Sequence, residues 1–289
     1  MKYLPVYYSV VFEEKPEWGN PPQFVFRSVI GLALRRLTCA LKLQQSCSGC
    51  MLNESCVYSV FFETNINKEI SSLPGRNKAV HPFVFDIESV SENDAVVKIT
   101  FIGKAVNYIP YVNLALEKAG ENGIGRNRAK FSIASITTYA GVFSSSIREI
   151  EKLCLSWPGE TGRPKSLTLL TPTRIKESGK YLSTVTLNSL LINMHRRIAV
   201  LLDLFEDESD NLSNAELNEI DSLPVEQKWE EKTYYSSRQK TRMQLGGVTG
   251  KIKIEGEVPS FERNLIEAME LFHVGKNISF GLGKIKVDY

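Results

Sequence analysis

The sequence predicts an α+β protein built from two tandem ferredoxin-like (βαββαβ, RRM-like) domains. Three observations carry this expectation. Segments with strand-like apolar patterning alternate with segments whose apolar residues keep a helical spacing. The order of segments in residues 1–150 returns in residues 151–289, the mark of an internal duplication. In each half a glycine-rich loop separates the second helix from the last strand.

In the first domain, residues 1–150, "YLPVYYSVVFE" (3–13) reads as a strand. After the breaker Asn20-Pro21-Pro22, "FVFRSVIGLALRRLTCAL" places Phe26, Val29, Ile30, Ala33, Leu34, Leu37 and Leu41 on one helical face. A cysteine-rich loop (39–56) and a strand-like "VYSVFFE" (57–63) follow, the latter extra to the six-element order. "HPFVFDIE" (81–88) and "AVVKITFIG" (95–103) are strands. "PYVNLALEKAG" (110–120) is a short helix stopped by its glycine, and "FSIASITT" (131–138) is the closing strand.

The second domain, residues 151–289, repeats the order after a connection over 141–165. "SLTLLTPTRIK" (166–176) is strand-like, and "LNSLLINMHRRIAVLLDLF" (187–205) is an amphipathic helix. "KWEEKTYYSS" (228–237) and "GVTGKIKIEG" (247–256) are strands. "FERNLIEAMELF" (261–272) is a helix with Ser260 as N-cap, and "ISFGLGKIKVDY" ends in a strand. Residues 203–222 hold eight acids and no base, which reads as a solvated loop with a short helix.

Composition narrows the function. At 43% hydrophobic and 24% charged, the chain is that of an ordinary globular protein. No apolar run is long enough for a membrane span, and "MKYLPVYYSV" reads as a strand instead of a signal peptide, so the expected location is the cytoplasm. There the five cysteines stay reduced. A net charge of +2 does not announce a nucleic-acid binder, so any such site must be local. Cys39, Cys47, Cys50 and Cys56 follow C-x7-C-x2-C-x5-C; four thiolates would make a closed structural zinc site, with small packing residues as the alternative. Cys154 stands apart and reads as core.

The loops "GENGIGRNRAK" (120–130) and "HVGKNISFGLGK" (273–284) carry the local signal. Neither fits a P-loop or a Rossmann turn, because each precedes a strand instead of a helix. Glycines can leave backbone N–H groups open to phosphates. Lys276 and Lys284 add charge there, and "YYSSRQKTR" interleaves Tyr234 and Tyr235 with Arg238, Lys240 and Arg242, a composition suited to RNA.

Two ferredoxin-like units with such a closing loop resemble the RAMP superfamily of CRISPR-associated RNA-binding proteins. Within it, "GIGRNRAKFSI", "LTPTRIKESG", "YYSSRQKTRMQLGGVTGKIKIEG" and "HVGKNISFGLGK", in this order along the chain, are similar to segments of the repeat-processing endoribonuclease. "CSGCMLNESCVYSVFFE" resembles a cysteine loop of one branch. The resemblance implies binding of CRISPR repeat RNA, with effector-complex proteins as further partners and no membrane. It implies cleavage without a metal: the 2′-hydroxyl attacks the adjacent phosphorus, leaving a 2′,3′-cyclic phosphate and a 5′-hydroxyl.

Such chemistry calls for an acid, a base and cations. His273 sits at a helix end beside the glycine loop, where the helix dipole favours its protonated form. With Lys276 and Arg238 it forms the catalytic expectation. RNA contacts are expected at Gly275, Lys276, Gly281, Gly283, Lys284, Tyr234, Tyr235, Arg238 and Arg242, and at Gly125, Arg126 and Arg128 of the first loop. Many family members carry a catalytic histidine in or just after the first helix. Here "GLALRRLTCALKLQQ" has none, and offers Arg35, Arg36 and Lys42 as further candidates beside His195; His81 reads as structural. Two alternatives stand: a non-catalytic RAMP subunit that holds CRISPR RNA, and an unrelated RNA-binding adaptor.

Overall fold

The computed structural model describes residues 1–41, 47–64, 80–139, 141–142, 155, 162–206, 215–236 and 241–289. They divide into two compact units: Met1–Ser156 with Val200–Glu208, and Trp157–Ala199 with Ser209–Tyr289.

In the first unit, strand β1 (Tyr3–Phe12) buries Leu4, Val6, Tyr8, Val10 and Phe12, one residue in two. Helix α1 (Pro22–Thr38) meets that face with Phe26, Ile30, Ala33 and Leu34. Strands β2 (Phe83–Val90) and β3 (Asp94–Ile102), helix α2 (Ile109–Asn122) and strand β4 (Phe131–Thr138) complete the unit, with a short β5 (Gly141–Val142) at the edge. The sheet order is β2-β3-β1-β4-β5, antiparallel throughout, so β1 lies between β3 and β4. In the core, the Tyr8 hydroxyl donates to Asn113 Oδ1 at 2.7 Å; burial without that acceptor would leave a costly orphan.

Two details differ from the sequence reading. The helix α2 runs past Gly120 to Asn122 and stops at Gly123. Gly120 instead lets the helix approach β4, since a Cβ there would lie 2.1 Å from the Phe131 carbonyl oxygen. Residues 57–63 are not a strand. They turn helically, with Ser59–Glu63 in a π-helical turn and the Thr64 N–H donating to the Ser59 carbonyl. The reason is packing at i, i+4: Tyr58 and Phe62 stack at 5.5 Å, and Phe62 fits against Gly31 of α1. Arg27 and Arg35, one turn either side of Gly31, lie over the Phe62 and Tyr58 rings. The same spacing was present in the sequence and was outweighed by a short apolar run rich in β-formers.

The second unit repeats the topology. Strand β6 (Ser166–Thr173) leads through a small hairpin, β7 (Lys176–Glu177) and β8 (Lys180–Tyr181), to helix α3 (Leu187–Phe205), of which residues 187–199 belong to this unit. Strand β9 (Ser222–Glu230), the hairpin β10 (Thr233–Ser236) with β11 (Thr241–Gln244), strand β12 (Gly247–Ile254), helix α4 (Ser260–Phe272) and strand β13 (Ile285–Asp288) complete it. The main sheet has the order β13-β6-β12-β9, the counterpart of β4-β1-β3-β2. Each unit is therefore a ferredoxin-like fold.

The sequence expectation of a strand over 228–237 divides in two here. Residues 222–230 pair with β12, and 233–236 leave for a separate hairpin. β9 is the sheet edge, where Pro224 needs no partner for its missing N–H. Its Leu223 and Trp229 are exposed, so the alternation that marks a half-buried strand is weak. Of the acidic stretch, residues 207–214 lie outside the described residues. Asn218, within its second half, is pinned to the fold: its N–H and side-chain amide both donate to buried Glu262. Pro259, not Ser260, occupies the N-cap of α4, and Ser260 is its first residue. Among the described residues, no helix is long and apolar enough to cross a membrane.

Candidate RNA interface

Helix α4 ends abruptly. His273 leaves it at φ 55°, ψ 167°, and the chain reverses into residues 274–284. His273 is 3% exposed and its Nδ1 faces the Leu282 carbonyl at 3.2 Å. The loop closes on itself. The Val274 N–H donates to the Gly283 carbonyl at 3.0 Å, and the Gly283 N–H donates to the Pro172 carbonyl at 3.2 Å. Gly275 donates to Asn193 Oδ1, Lys276 to the Arg174 carbonyl, Gly281 to the Ile278 carbonyl, and Lys284 to Thr171 Oγ1. Every one of these amides is committed inside the chain.

This corrects the sequence argument that the glycines bare their amides to phosphate. Gly281 and Gly283 are buried, and all three glycines commit their N–H groups to the fold. The reason for glycine at 283 is local. Its φ is 72°, and a Cβ would fall 1.9 Å from the Val274 carbonyl oxygen. Outward, the loop presents Lys276, which is exposed, with its ammonium 5.6 Å from the Tyr181 ring. Lys284 is half-buried at the loop's end.

The first loop is built differently. Ile124 and Ala129 pair across it, and the Arg126 N–H donates to the Glu17 carbonyl. Asn127 clamps the same neighbouring segment, accepting from the Glu17 N–H and donating to the Lys15 carbonyl, both at 3.0 Å. That scaffold leaves Arg126 and Arg128 exposed on either side of it, with Gly125 half-buried between its neighbours.

In the β10–β11 hairpin the two tyrosines part company, as period-2 alternation demands. Tyr234 is 8% exposed against the Phe280 ring at 5.4 Å, so it is a packing residue of the glycine loop. Tyr235 is exposed and pairs across the hairpin with exposed Arg242. Arg238 and Lys240 lie outside the described residues.

Of the further candidates, Arg36 is exposed in the last turn of α1, where a cation suits the helix dipole. Arg35 is half-buried over Tyr58. Lys42 lies outside the described residues. His195 is 9% exposed, edge-on to Phe261 at 5.9 Å. His81 Nδ1 faces the Phe61 carbonyl at 2.7 Å.

Cys39, Cys47, Cys50 and Cys56 all line one cavity of about 290 Å³ at the end of α1, beside Tyr58 and Tyr111. They do not converge. Among the described residues no group of three or more His, Cys, Asp or Glu side chains is placed to hold a metal ion, so the zinc expectation is not met by the geometry. The cause is local structure. Cys39 caps α1, Cys47 begins a short 3-10 turn, and Cys56 leads into the helical turn that packs on Gly31. These segments run along the cavity wall. Cys154 lies outside the described residues.

A cluster the sequence reading missed adjoins Lys276. The Arg174 guanidinium lies 4.2 Å from the Tyr181 ring centroid and 5.8 Å from that of Trp229, and its Nη1 donates to the Gln244 carbonyl at 2.7 Å. The signals for it in sequence were the family-like segment "LTPTRIKESG" (170–179), which contains Arg174, and the Ser178-Gly179 turn between Lys176 and Tyr181.

Residues 167–285, which contain this cluster and the glycine loop, match the family model described as CRISPR-associated endoribonuclease Cas6. This region of the chain is similar to the Cas6 family. The preceding half, residues 3–152, matches the AF_1859_N model, described as an N-terminal domain. No curated protein matches the chain by sequence. Among solved structures, a Cas6 (TTHB231) product complex is similar with a TM-score of 0.57 at 15% identity, covering 99% of this chain and 99% of that one. Thermus thermophilus Cas6 (TTHB231) is similar with a TM-score of 0.54 at 12% identity, covering 99% and 98%. A RAMP protein binding different RNA substrates gives 0.51 at 11% identity, covering 99% and 100%. At these identities the likeness to solved structures shows the Cas6 fold, two ferredoxin-like units in one chain.

Proposed function

We propose that this chain is the endoribonuclease that binds precursor CRISPR RNA and cuts it within its repeats, without a metal ion. The 2′-hydroxyl attacks the adjacent phosphorus, and the products are a 2′,3′-cyclic phosphate and a 5′-hydroxyl. The observation that carries the reading is the Cas6 family match over residues 167–285, the span that folds into the glycine loop and its surrounding cations.

The roles are assigned from exposure. Lys276, Arg242, Arg126 and Arg128 face outward and serve as phosphate contacts; Lys284 and Tyr235 assist them. Lys276 is our candidate to stabilise the phosphorane, and Arg238 is a second one; Arg36 is a separate candidate on the first unit. His273 acts through the loop. Its imidazole holds the Leu282 carbonyl and with it the reversal that presents Lys276. It is thus a positioning residue in this state, and reaches a leaving oxygen only if the loop opens. One observation favours a second reading, a non-catalytic RAMP subunit: His273 and His195 are both buried.

Single-turnover cleavage of a repeat RNA in excess EDTA separates the two. The expected result is one cut, blocked by a 2′-deoxy substitution at the scissile nucleotide and yielding a cyclic phosphate end. Tight binding with no cut would replace the endoribonuclease with the RNA-holding subunit. A cut that EDTA abolishes would refute metal independence.

A further inference from the structure

The β7–β8 hairpin is too short to be a core element, yet it carries a cation–aromatic arrangement fixed from three sides. Arg174 holds it together. Its side chain lies over Tyr181, reaches Trp229 and donates to Gln244, while its carbonyl accepts the Lys276 N–H at 3.0 Å. The glycine loop, the hairpin and β9 thereby share one residue.

Three features set the cluster apart from ordinary packing. Tyr181 and Trp229 remain 44% and 40% exposed. Among the described residues, neither Arg174 nor Lys276 has a carboxylate partner. The nearby carboxylate of Glu231 is already occupied, accepting from Trp229 Nε1 at 3.0 Å and from the Gly246 N–H at 3.1 Å. Partly exposed rings beside cations that lack a carboxylate partner suit a flat, anionic ligand. Bases stack on such rings whatever their sequence, and Arg adds a planar cation of its own.

We propose that Tyr181 and Trp229, joined by Arg174, form a stacking subsite for an unpaired base of the bound RNA, with Lys276 taking the adjoining phosphate. The proposal rests on the RNA-cleaving reading and names the part of the RNA that the C-terminal unit grips. A protein partner is disfavoured, because the exposed cations around the rings (Lys176 and Lys180 included) attract a polyanion.

The test is binding of a labelled repeat RNA, with its single-stranded flanks, across a salt series. Tyr181→Ala and Trp229→Ala should each weaken binding by about fivefold to a hundredfold without changing the salt slope. Tyr181→Phe should bind like the parent, and Lys276→Gln should lower the slope by about one. RNAs lacking one base at a time locate the site: one unpaired position should cost the parent affinity and cost Trp229→Ala nothing further. If the parent binds the repeat while Tyr181→Ala and Trp229→Ala bind it within about twofold, the subsite is wrong and the endoribonuclease reading stands. Abasic losses identical in parent and Trp229→Ala also overturn it. A parent that binds no repeat RNA overturns both.

Discussion

Gly283→Ala separates two accounts of the closing loop. If glycine is there to let phosphate approach, the variant should fold normally and bind RNA poorly. The structure argues for the opposite. At φ 72°, an alanine incurs a steric cost of about 1–2 kcal/mol. Its Cβ would also start 1.9 Å from the Val274 carbonyl oxygen, so the backbones of Val274 and Gly283 must separate by more than an ångström. That breaks the 3.0 Å bond from the Val274 N–H, worth about 0.5–1.5 kcal/mol, and adds overpacking strain of about 1–3 kcal/mol. The sum is a destabilisation of about 3 kcal/mol or more, among the larger effects of a single substitution. Urea unfolding followed by circular dichroism measures it. Repeat-RNA binding is then compared without urea, at a temperature where both proteins are folded. A loss below about 0.5 kcal/mol, together with clearly weaker RNA binding, would refute the packing account and restore open amides as the glycine's purpose.

Two further outcomes test residues inside the second unit. His273→Ala should slow cleavage by about a hundredfold if the imidazole itself donates a proton, and by much less if it only clasps Leu282. His273→Asn keeps a donor toward that carbonyl, so recovery of the rate in it supports the positioning role, and no recovery supports the chemical one. Arg197 is 6% exposed with Nε and Nη2 unbonded, and burial pulls its guanidinium down to about 10. Its folded value lies below its unfolded one, so the penalty is in full force below about pH 10 and is relieved above it. Arg197→Met should therefore raise stability at neutral pH by about 1 kcal/mol or more, with the gain shrinking in strong alkali. A destabilised Arg197→Met protein in thermal unfolding would show that the guanidinium has a partner.

The sequence by itself determined the fold class. Alternation along β1, helical stripes in α1, α3 and α4, and the repeated order of elements are local patterns, written in neighbours two to four residues apart. It also marked the glycine loop as unusual, because several glycines in one short turn signal a backbone under special demand. Tertiary structure decided what that demand is. The amides that looked open are bonded to Pro172, Arg174 and Asn193, residues some eighty to over a hundred positions away, which no local pattern encodes. The same holds for "VYSVFFE", where stacking on Gly31 of α1 selected the helical turn over the strand. It holds for Tyr234 and Tyr235, adjacent in sequence, of which the hairpin buries one against Phe280 and exposes the other. It holds for the cysteines, whose spacing suggested a common ligand until the fold spread them along a cavity wall. And it holds for Arg174, Tyr181, Trp229 and Lys276, drawn from four segments of the chain, whose juxtaposition exists only once the sheet and its loops have formed.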